Sequence, residues 1–173
     1  MQLIVQHYYG FSLDHVGMIE GKGPFNRGET RVQRPLMRGA IATVVGLIAG
    51  SAFNLMVIEV NTSILFPMPM DLDPNDLEQF QGYIDSLPTL AFLVVMAAHL
   101  GQSFIGGWVA ARLSPARPMI PAMVVGTLSL LGGLAMIQML WGYAPPWMVI
   151  ELPLYLVCSW AAGRLEVRRR ERS

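Results

Sequence analysis

The chain has 173 residues, enough for one domain; 53% of them are hydrophobic and only 14% are charged. A soluble domain carries about 25% charged residues, so the composition argues against an ordinary soluble protein. The formal net charge is zero, and the single cysteine, Cys158, excludes a disulfide framework and any metal site built from cysteines alone.

The first 35 residues are polar overall and precede the long apolar runs. They lack the early basic patch, the apolar core and the cleavage site of a signal peptide. We interpret residues 1–35 as a cytoplasmic arm. Its start carries apolar and aromatic side chains of the kind that dominate interfaces. These candidate partner-binding residues are Leu3, Ile4, Val5, Tyr8, Tyr9 and Phe11.

Four apolar runs follow the arm, within a predicted transmembrane domain of residues 36–164. Each is near the length of about 20 residues that a helix needs to cross about 30 Å of hydrocarbon. The runs are residues 40–60, 89–111, 119–141 and 147–163. The fourth is the shortest and contains Glu151 and Pro153. We predict an all-α membrane protein, a bundle of four transmembrane helices.

Basic and acidic residues fall on opposite sides of a chain that is predicted to cross the membrane four times. Lysine and arginine occur in the arm, between runs two and three, and in a basic tail of residues 165–173. The loop of residues 61–88 has acidic residues and no lysine or arginine. Because basic segments beside membrane spans stay cytoplasmic, we predict both termini inside and this loop outside. Anionic lipid headgroups and topology explain the basic tail, so no nucleic-acid partner is expected.

The loop of residues 61–88 contains the pattern of a further, short helix outside the four apolar runs. Asp73 is predicted to cap a short helix and Pro74 to occupy its first turn. Apolar residues follow at helical spacing, at Leu77, Phe80, Ile84 and Leu87. We predict an amphipathic helix that lies on the outer membrane surface or caps the bundle. It is either a simple re-entry helix or a docking surface for a partner.

Similar motifs recur in the two halves of the chain. Residues 108–113 and 160–165 both match W-x-A-x-R-L, and residues 44–46 and 124–126 both read Val-Val-Gly. We therefore predict two similar helical hairpins, related by a pseudo-twofold axis along the membrane normal. Many glycine, alanine and serine residues in the runs would let the helix backbones approach closely.

Two ionisable residues lie well inside the predicted spans, His99 and Glu151, whereas Glu59 lies at the outer boundary of the first span. Such groups are energetically costly in hydrocarbon and are candidates for function. Each lies thirteen residues before the arginine of its W-x-A-x-R-L motif, so both are expected about 20 Å from those arginines by helical rise. Asn54 falls near the same depth. We predict an intramembrane polar layer of Asn54, His99 and Glu151.

This polar layer has three possible roles. A hydrogen bond between His99 and Glu151 could simply stabilise the bundle. A protonatable pair could instead serve transport. In the third role, His99 is an axial ligand of a tetrapyrrole, because Ala97, Ala98 and Gly101 leave room for a flat ring. Apart from this alternative, no cofactor is predicted.

Metal and catalytic sites have weak sequence support. Met68 and Met70 are candidate soft ligands for copper(I), although packing explains most methionines more simply, so no metal site is predicted. The chain has no Gly-rich phosphate loop, nucleophile elbow or H-E-x-x-H motif. We therefore do not expect an enzyme.

Several short stretches carry a resemblance to a known family. They are His99-Leu100-Gly101 and Gly106-Gly107-Trp108 in the second run, and Pro146-Trp147 with Glu151-Leu152-Pro153 at the start of the fourth. This pattern resembles a family of small four-helix bacterial inner-membrane proteins, which has no assigned activity. The resemblance covers residues 38–164, and the arm is longer than is typical. It implies the topology and a bacterial inner membrane, without a mechanism.

Our leading functional hypothesis from the sequence is a non-enzymatic accessory or structural subunit. Its partners would be membrane lipids and other integral subunits of a larger complex. One alternative is a small transporter or channel that uses the His99 and Glu151 layer, and another is a pigment- or haem-binding subunit. A shared aqueous cavity at the layer would favour transport, whereas a dry mutual hydrogen bond or a partner-facing helix would favour a structural role.

Overall fold

The computed structural model describes residues 25–73, 76–139 and 146–173, and these residues form helices and connecting turns without strands. The chain divides into two compact units, Met1–Arg34 and Pro35–Ser173. In the first unit, the described residues 25–34 are helical. The helices, in chain order, are α1 Phe25–Val60, α2 Leu77–Ser86, α3 Thr89–Leu113, α4 Met119–Met139 and α5 Glu151–Glu171. A π-helical turn, Asn61–Leu65, follows α1, and a 3-10 turn, Pro146–Ile150, precedes α5.

Four segments of the described chain are long and apolar enough to cross a membrane. They are Leu36–Leu65, Thr89–Leu113, Met119–Gln138 and Met148–Glu171. The predicted all-α fold with four membrane-length helices is therefore confirmed, and it indicates a multi-pass membrane protein. Its second unit is a membrane helical bundle.

The helices extend further than the apolar runs on which their prediction rested. Residues 25–35, assigned to the arm, are helical. Residues 165–171, assigned to the basic tail, continue α5 because Glu166 pairs with Arg169 and Arg170, three and four residues further on. Hydropathy marks only the part of a helix that crosses hydrocarbon, so it misses polar helical ends. The last two residues predicted for the third run, 140 and 141, lie outside the described residues.

The cap of α2 also differs from the prediction. Asp76 caps the helix, and its Oδ1 accepts hydrogen bonds from the backbone N–H groups of Glu78 and Gln79 at 3.1 and 3.2 Å. The helix begins at Leu77, and a capping side chain must stand immediately before the first turn. Asp73 stands too early for this, and its carbonyl oxygen accepts from the Asp76 N–H at 3.0 Å. The role predicted for Pro74 lies outside the described residues.

Small residues bring the helices of the bundle together. Helices α3, α4 and α5 each pack against the other two. The contacts leave no room for larger groups: a Cβ added at Gly46 of α1 would lie 2.5 Å from the carbonyl oxygen of Gly106 of α3. A Cβ added at Gly126 of α4 would lie 2.5 Å from Oγ of Ser159 of α5. Backbone contact of this kind is how membrane helices associate without a hydrophobic driving force.

A buried ionic cluster joins α5 to the end of α3, which we call the basic end of the bundle. The Glu166 side chain is 0% exposed and accepts hydrogen bonds from Arg169 and Arg170 at 2.7 and 2.8 Å. Nη2 of Arg170 also donates to the carbonyl oxygens of Ala111 and Ser114, at 2.9 and 2.7 Å. Arg170 thereby satisfies carbonyl groups that the end of a helix leaves unpaired.

Both W-x-A-x-R-L motifs have the same local geometry. The guanidinium carbon of Arg112 lies 5.6 Å from the Trp108 ring centroid, and that of Arg164 lies 5.7 Å from the Trp160 ring centroid. Each arginine therefore makes a cation–π contact with the tryptophan four residues before it. The internal repeat of two hairpins stays a prediction.

Candidate functional site

A cavity of about 590 Å³ lies inside the bundle, in the half towards α2. Ligand sites in proteins commonly have volumes of about 300–1,000 Å³. All five helices contribute to the walls, which are mostly apolar. The three residues of the predicted polar layer, Asn54, His99 and Glu151, all line this cavity. The structure thus brings them to one site.

Glu151 is the centre of the polar wall. Its Oε1 lies 3.1 Å from Nδ1 of His99 on α3 and accepts a hydrogen bond from the Tyr155 hydroxyl at 2.9 Å. The residue is only 2% exposed, whereas the His99 side chain is 23% exposed. The result is a hydrogen-bonded triad on α3 and α5, with its histidine the most accessible member.

Local sequence explains why the triad forms. Glu151 is the first residue of α5, where the helix dipole favours a negative charge. Tyr155 stands one helical turn later, so both side chains share a face. A Cβ added at Gly133 would lie 2.7 Å from Cε2 of Tyr155. The Tyr155 ring therefore occupies space that the lack of a side chain at Gly133 makes available.

Four buried polar atoms on cavity-lining residues have no hydrogen-bond partner within the described part of the chain. They are Oδ1 of Asn54, Oδ1 of Asn61, Oγ of Ser129 and Oε2 of Glu151. Buried polar atoms are usually paired, and each exception calls for an explanation. All four residues line one cavity, so a single bound molecule could satisfy several of them.

Sequence reasoning missed three of the polar residues at this site. Asn61 was assigned to the outer loop, but it continues the first span in a π-helical turn, and its Nδ2 donates to the Ala91 carbonyl at 3.4 Å. Ser129 is one of the serine residues of the third run, for which the sequence predicts only close packing of helices. Tyr155 had a usable signal, its position one turn after Glu151. The helix phases that turn Asn61 and Ser129 towards the cavity are not visible in the sequence.

The amphipathic helix α2 forms the cavity wall furthest from the basic end. Phe80, Tyr83, Ile84 and Leu87 all line the cavity. The Tyr83 hydroxyl donates to the carbonyl of Phe66 at 3.2 Å, which ties α2 to the segment after the first span. Burial raises the pKa of Tyr83, so its phenol stays neutral at physiological pH. The helix caps the bundle, one of the two positions predicted for it.

The candidate copper ligands have different surroundings. Met68 lines the cavity, whereas Met70 is fully exposed. Over the residues that the structure describes, no three His, Cys, Asp or Glu side chains group to hold a metal ion. The candidate partner-binding residues of the arm, between positions 3 and 11, lie outside the described residues.

The site offers a definite set of interactions to a bound molecule. It has apolar walls, acceptor oxygens from asparagine and glutamate, a serine hydroxyl and a histidine that is partly accessible. Comparison of the chain with models of protein families, with curated proteins and with solved structures finds no match.

Proposed function

We propose that this protein is a small carrier of a bacterial inner membrane, which binds a small, largely apolar molecule in the cavity without a chemical step. One observation carries the proposal. The His99 and Glu151 pair lines a cavity of about 590 Å³, together with unpartnered polar groups of α1 and α4. A cavity shared by the residues of the polar layer supports transport over a purely structural layer.

Energetics support binding over a purely structural layer. A buried polar group without a partner costs about 1–3 kcal/mol, and four such atoms line the cavity. A layer that served only to hold helices together would gain most by pairing its polar groups with one another. Glu151 instead pairs through one oxygen and leaves the other unpartnered, which suits a site that completes its hydrogen bonds with a ligand.

The proposed orientation follows from charge. Arginine and lysine gather at the basic end and in the first 38 residues, and acidic residues gather around α2. Because basic segments stay cytoplasmic, we place both termini in the cytoplasm and α2 outside. The cavity then lies in the outer half of the bundle, beneath α2. Glycine contacts such as that of Gly46 with Gly106 close the inner half.

Native mass spectrometry of the protein purified in mild detergent tests this proposal. We expect the wild type to carry a small-molecule adduct that Gly132→Phe loses. Gly132 lines the cavity, and a Cβ added there meets no atom within 4 Å, so a larger side chain can begin there without meeting the backbone and is expected to reduce the space in the cavity. Gly39→Phe is the matched control, because Gly39 has equally open surroundings and does not line the cavity.

The expected result is an adduct on the wild type and on Gly39→Phe, and none on Gly132→Phe. A wild-type protein without an adduct, or the same adduct on both variants, would count against the cavity as a binding site. Circular dichroism of both variants would verify that they keep their helices.

The other functional hypotheses remain open to test. The accessory-subunit hypothesis rests on the arm, whose candidate residues lie outside the described part of the chain, and it stays a prediction. Deletion of residues 1–35, followed by co-purification from native membranes, tests it. The tetrapyrrole hypothesis for His99 also stays a prediction, and an absorption spectrum of the purified protein tests it.

A further inference from the structure

We infer that the molecule bound in the cavity carries a protonated amine on an apolar body. This inference rests on the proposed binding function and specifies its ligand class. Two features of the cavity carry it: the unpartnered atoms are mainly hydrogen-bond acceptors, and the lining has an acidic residue without lysine or arginine.

The acceptors come from three residues, one each on α1, the π-helical turn that follows it, and α5. Oδ1 of Asn54, Oδ1 of Asn61 and Oε2 of Glu151 are buried oxygens without a partner among the described residues. The orientation of Asn61 is set by its own amide, since Nδ2 donates to the Ala91 carbonyl. Its oxygen therefore remains as an acceptor. Acceptor oxygens require a ligand that donates, and an ammonium group has three N–H donors and no acceptor.

The charged side chains that line the cavity favour a cationic ligand over an anionic one. In the described part of the chain, the titratable side chains that line the cavity are Tyr83, His99, Glu151 and Tyr155, and no lysine or arginine joins them. An anionic ligand would face Glu151 with only His99 as a possible counter-charge. A cation would gain from Glu151, because hydrogen bonds between charged partners are about twice as strong as neutral ones.

The rest of the cavity suits an apolar body. Leu55 and Ile58 of α1, Val95 of α3 and Met136 of α4 are among the side chains of its walls. Polar groups are confined to a few positions, which is the usual composition of a ligand site. A ring system or short hydrocarbon chain would contact these walls while its amine reached the oxygens.

Three probes with the same naphthalene body test the head group. They are 2-(1-naphthyl)ethylamine, 2-(1-naphthyl)ethanol and 1-naphthylacetic acid, titrated calorimetrically at pH 7 into full-length protein in phosphatidylcholine nanodiscs. Empty nanodiscs correct for partition into lipid. We expect the amine to bind at least about tenfold more tightly than the alcohol, the loss typical of one charge-assisted hydrogen bond. The carboxylate should bind more weakly than the alcohol.

Substitutions of cavity residues test which side chains bind the amine. Glu151→Gln should reduce the affinity for the amine to nearly that for the alcohol. Asn54→Leu is a second, milder variant: Asn54 is only half-buried, and its loss should weaken amine binding several-fold. Ser103→Ala is the matched control, because its hydroxyl is also buried and unpartnered in the described structure but does not line the cavity. It should bind the amine as the wild type does.

The outcomes separate this inference from the proposed function. Equal or tighter binding of the alcohol or the carboxylate, abolished by Gly132→Phe, would overturn the amine inference and leave cavity binding intact. Failure of the amine to bind at all would also overturn it. The proposed function fails separately, when native mass spectrometry finds no adduct that Gly132→Phe removes.

Discussion

Glu151 and Tyr155 show how one missing side chain determines the geometry of a polar site. The Tyr155 hydroxyl reaches Oε1 of Glu151 at 2.9 Å because its ring passes close to the backbone of Gly133. Gly132, the preceding residue, has open space beside it. Both glycines line the cavity but have different surroundings: Gly133 accommodates the Tyr155 ring, whereas Gly132 is free of close neighbours.

This difference gives a prediction with a built-in control. We expect Gly133→Ala to lower the free energy of unfolding by about 1–3 kcal/mol, because the new methyl group overlaps the Tyr155 ring. Gly132→Ala should be neutral or slightly stabilising, since alanine favours a helix over glycine and meets no atom. Equilibrium unfolding in mixed micelles measures both. Equal destabilisation by the two substitutions would contradict the placement of Tyr155.

At the scale of helices, arginines hold the end of α5 against α3: Arg112 of α3 lies 3.8 Å from Glu166 of α5, and Arg170 makes the closer contacts. Arg170 bridges Glu166 of its own helix and the last carbonyl groups of α3. Glu166 is fully buried beneath these contacts. The basic end of the bundle is therefore a packed, hydrogen-bonded structure. Its arginines do more than predict which side of the membrane it occupies.

Arg170→Ala should loosen this end of the bundle. We expect a loss of about 1–3 kcal/mol in unfolding free energy, because buried carbonyl groups and Glu166 lose hydrogen bonds. Amide exchange should become faster at Ser114, whose N–H bonds to Ala110 at 3.1 Å. Arg168→Ala is the control: Arg168 is exposed, and its loss should change stability by about 0.5 kcal/mol or less. The same exchange rate in both variants would refute the bridge.

The sequence predicted the helices of this bundle better than their ends. The apolar runs mark the four membrane-length segments because hydrocarbon excludes unpaired backbone and charge. The continuation of α5 to Glu171 rests on the local pairs of Glu166 with Arg169 and Arg170 and also on the contact of Arg170 with α3, which joins residues far apart in the chain. The cap of α2 at Asp76 rather than Asp73 depends on where the helix begins, which local propensity defines only within a few residues.

The sequence also predicts part of the polar site, namely its ionisable residues. His99 and Glu151 stand out because ionisable groups are rare in membrane spans. The cavity beside them cannot be recognised in the sequence, because it forms where Gly132 and other small groups of different helices leave space. Asn61 and Ser129 become part of the site only through the packing of α1 and α4 around it.

For the whole molecule, charge segregation predicts a sidedness that labelling can measure. In a Cys158→Ala background, we expect Ser173→Cys to react with an impermeant maleimide only in inside-out vesicles. Gly82→Cys, on the open face of α2, should react only in intact spheroplasts. Labelling of both positions from one side would contradict a topology of four membrane crossings with both termini in the cytoplasm.

If the proposed function is right, the cavity lined by the polar residues admits a small molecule. Cysteine modification in proteoliposomes by methyl methanethiosulfonate, a small neutral reagent, measures this access. In the same Cys158→Ala background, Ser129→Cys lies on the cavity wall and Ser159→Cys lies in a helix contact that is 0% exposed. Intact mass reports the extent of modification. We predict rapid modification at position 129, suppressed by Gly132→Phe, and none at position 159. Resistance at both positions, or equal reaction at both, would contradict access to the cavity.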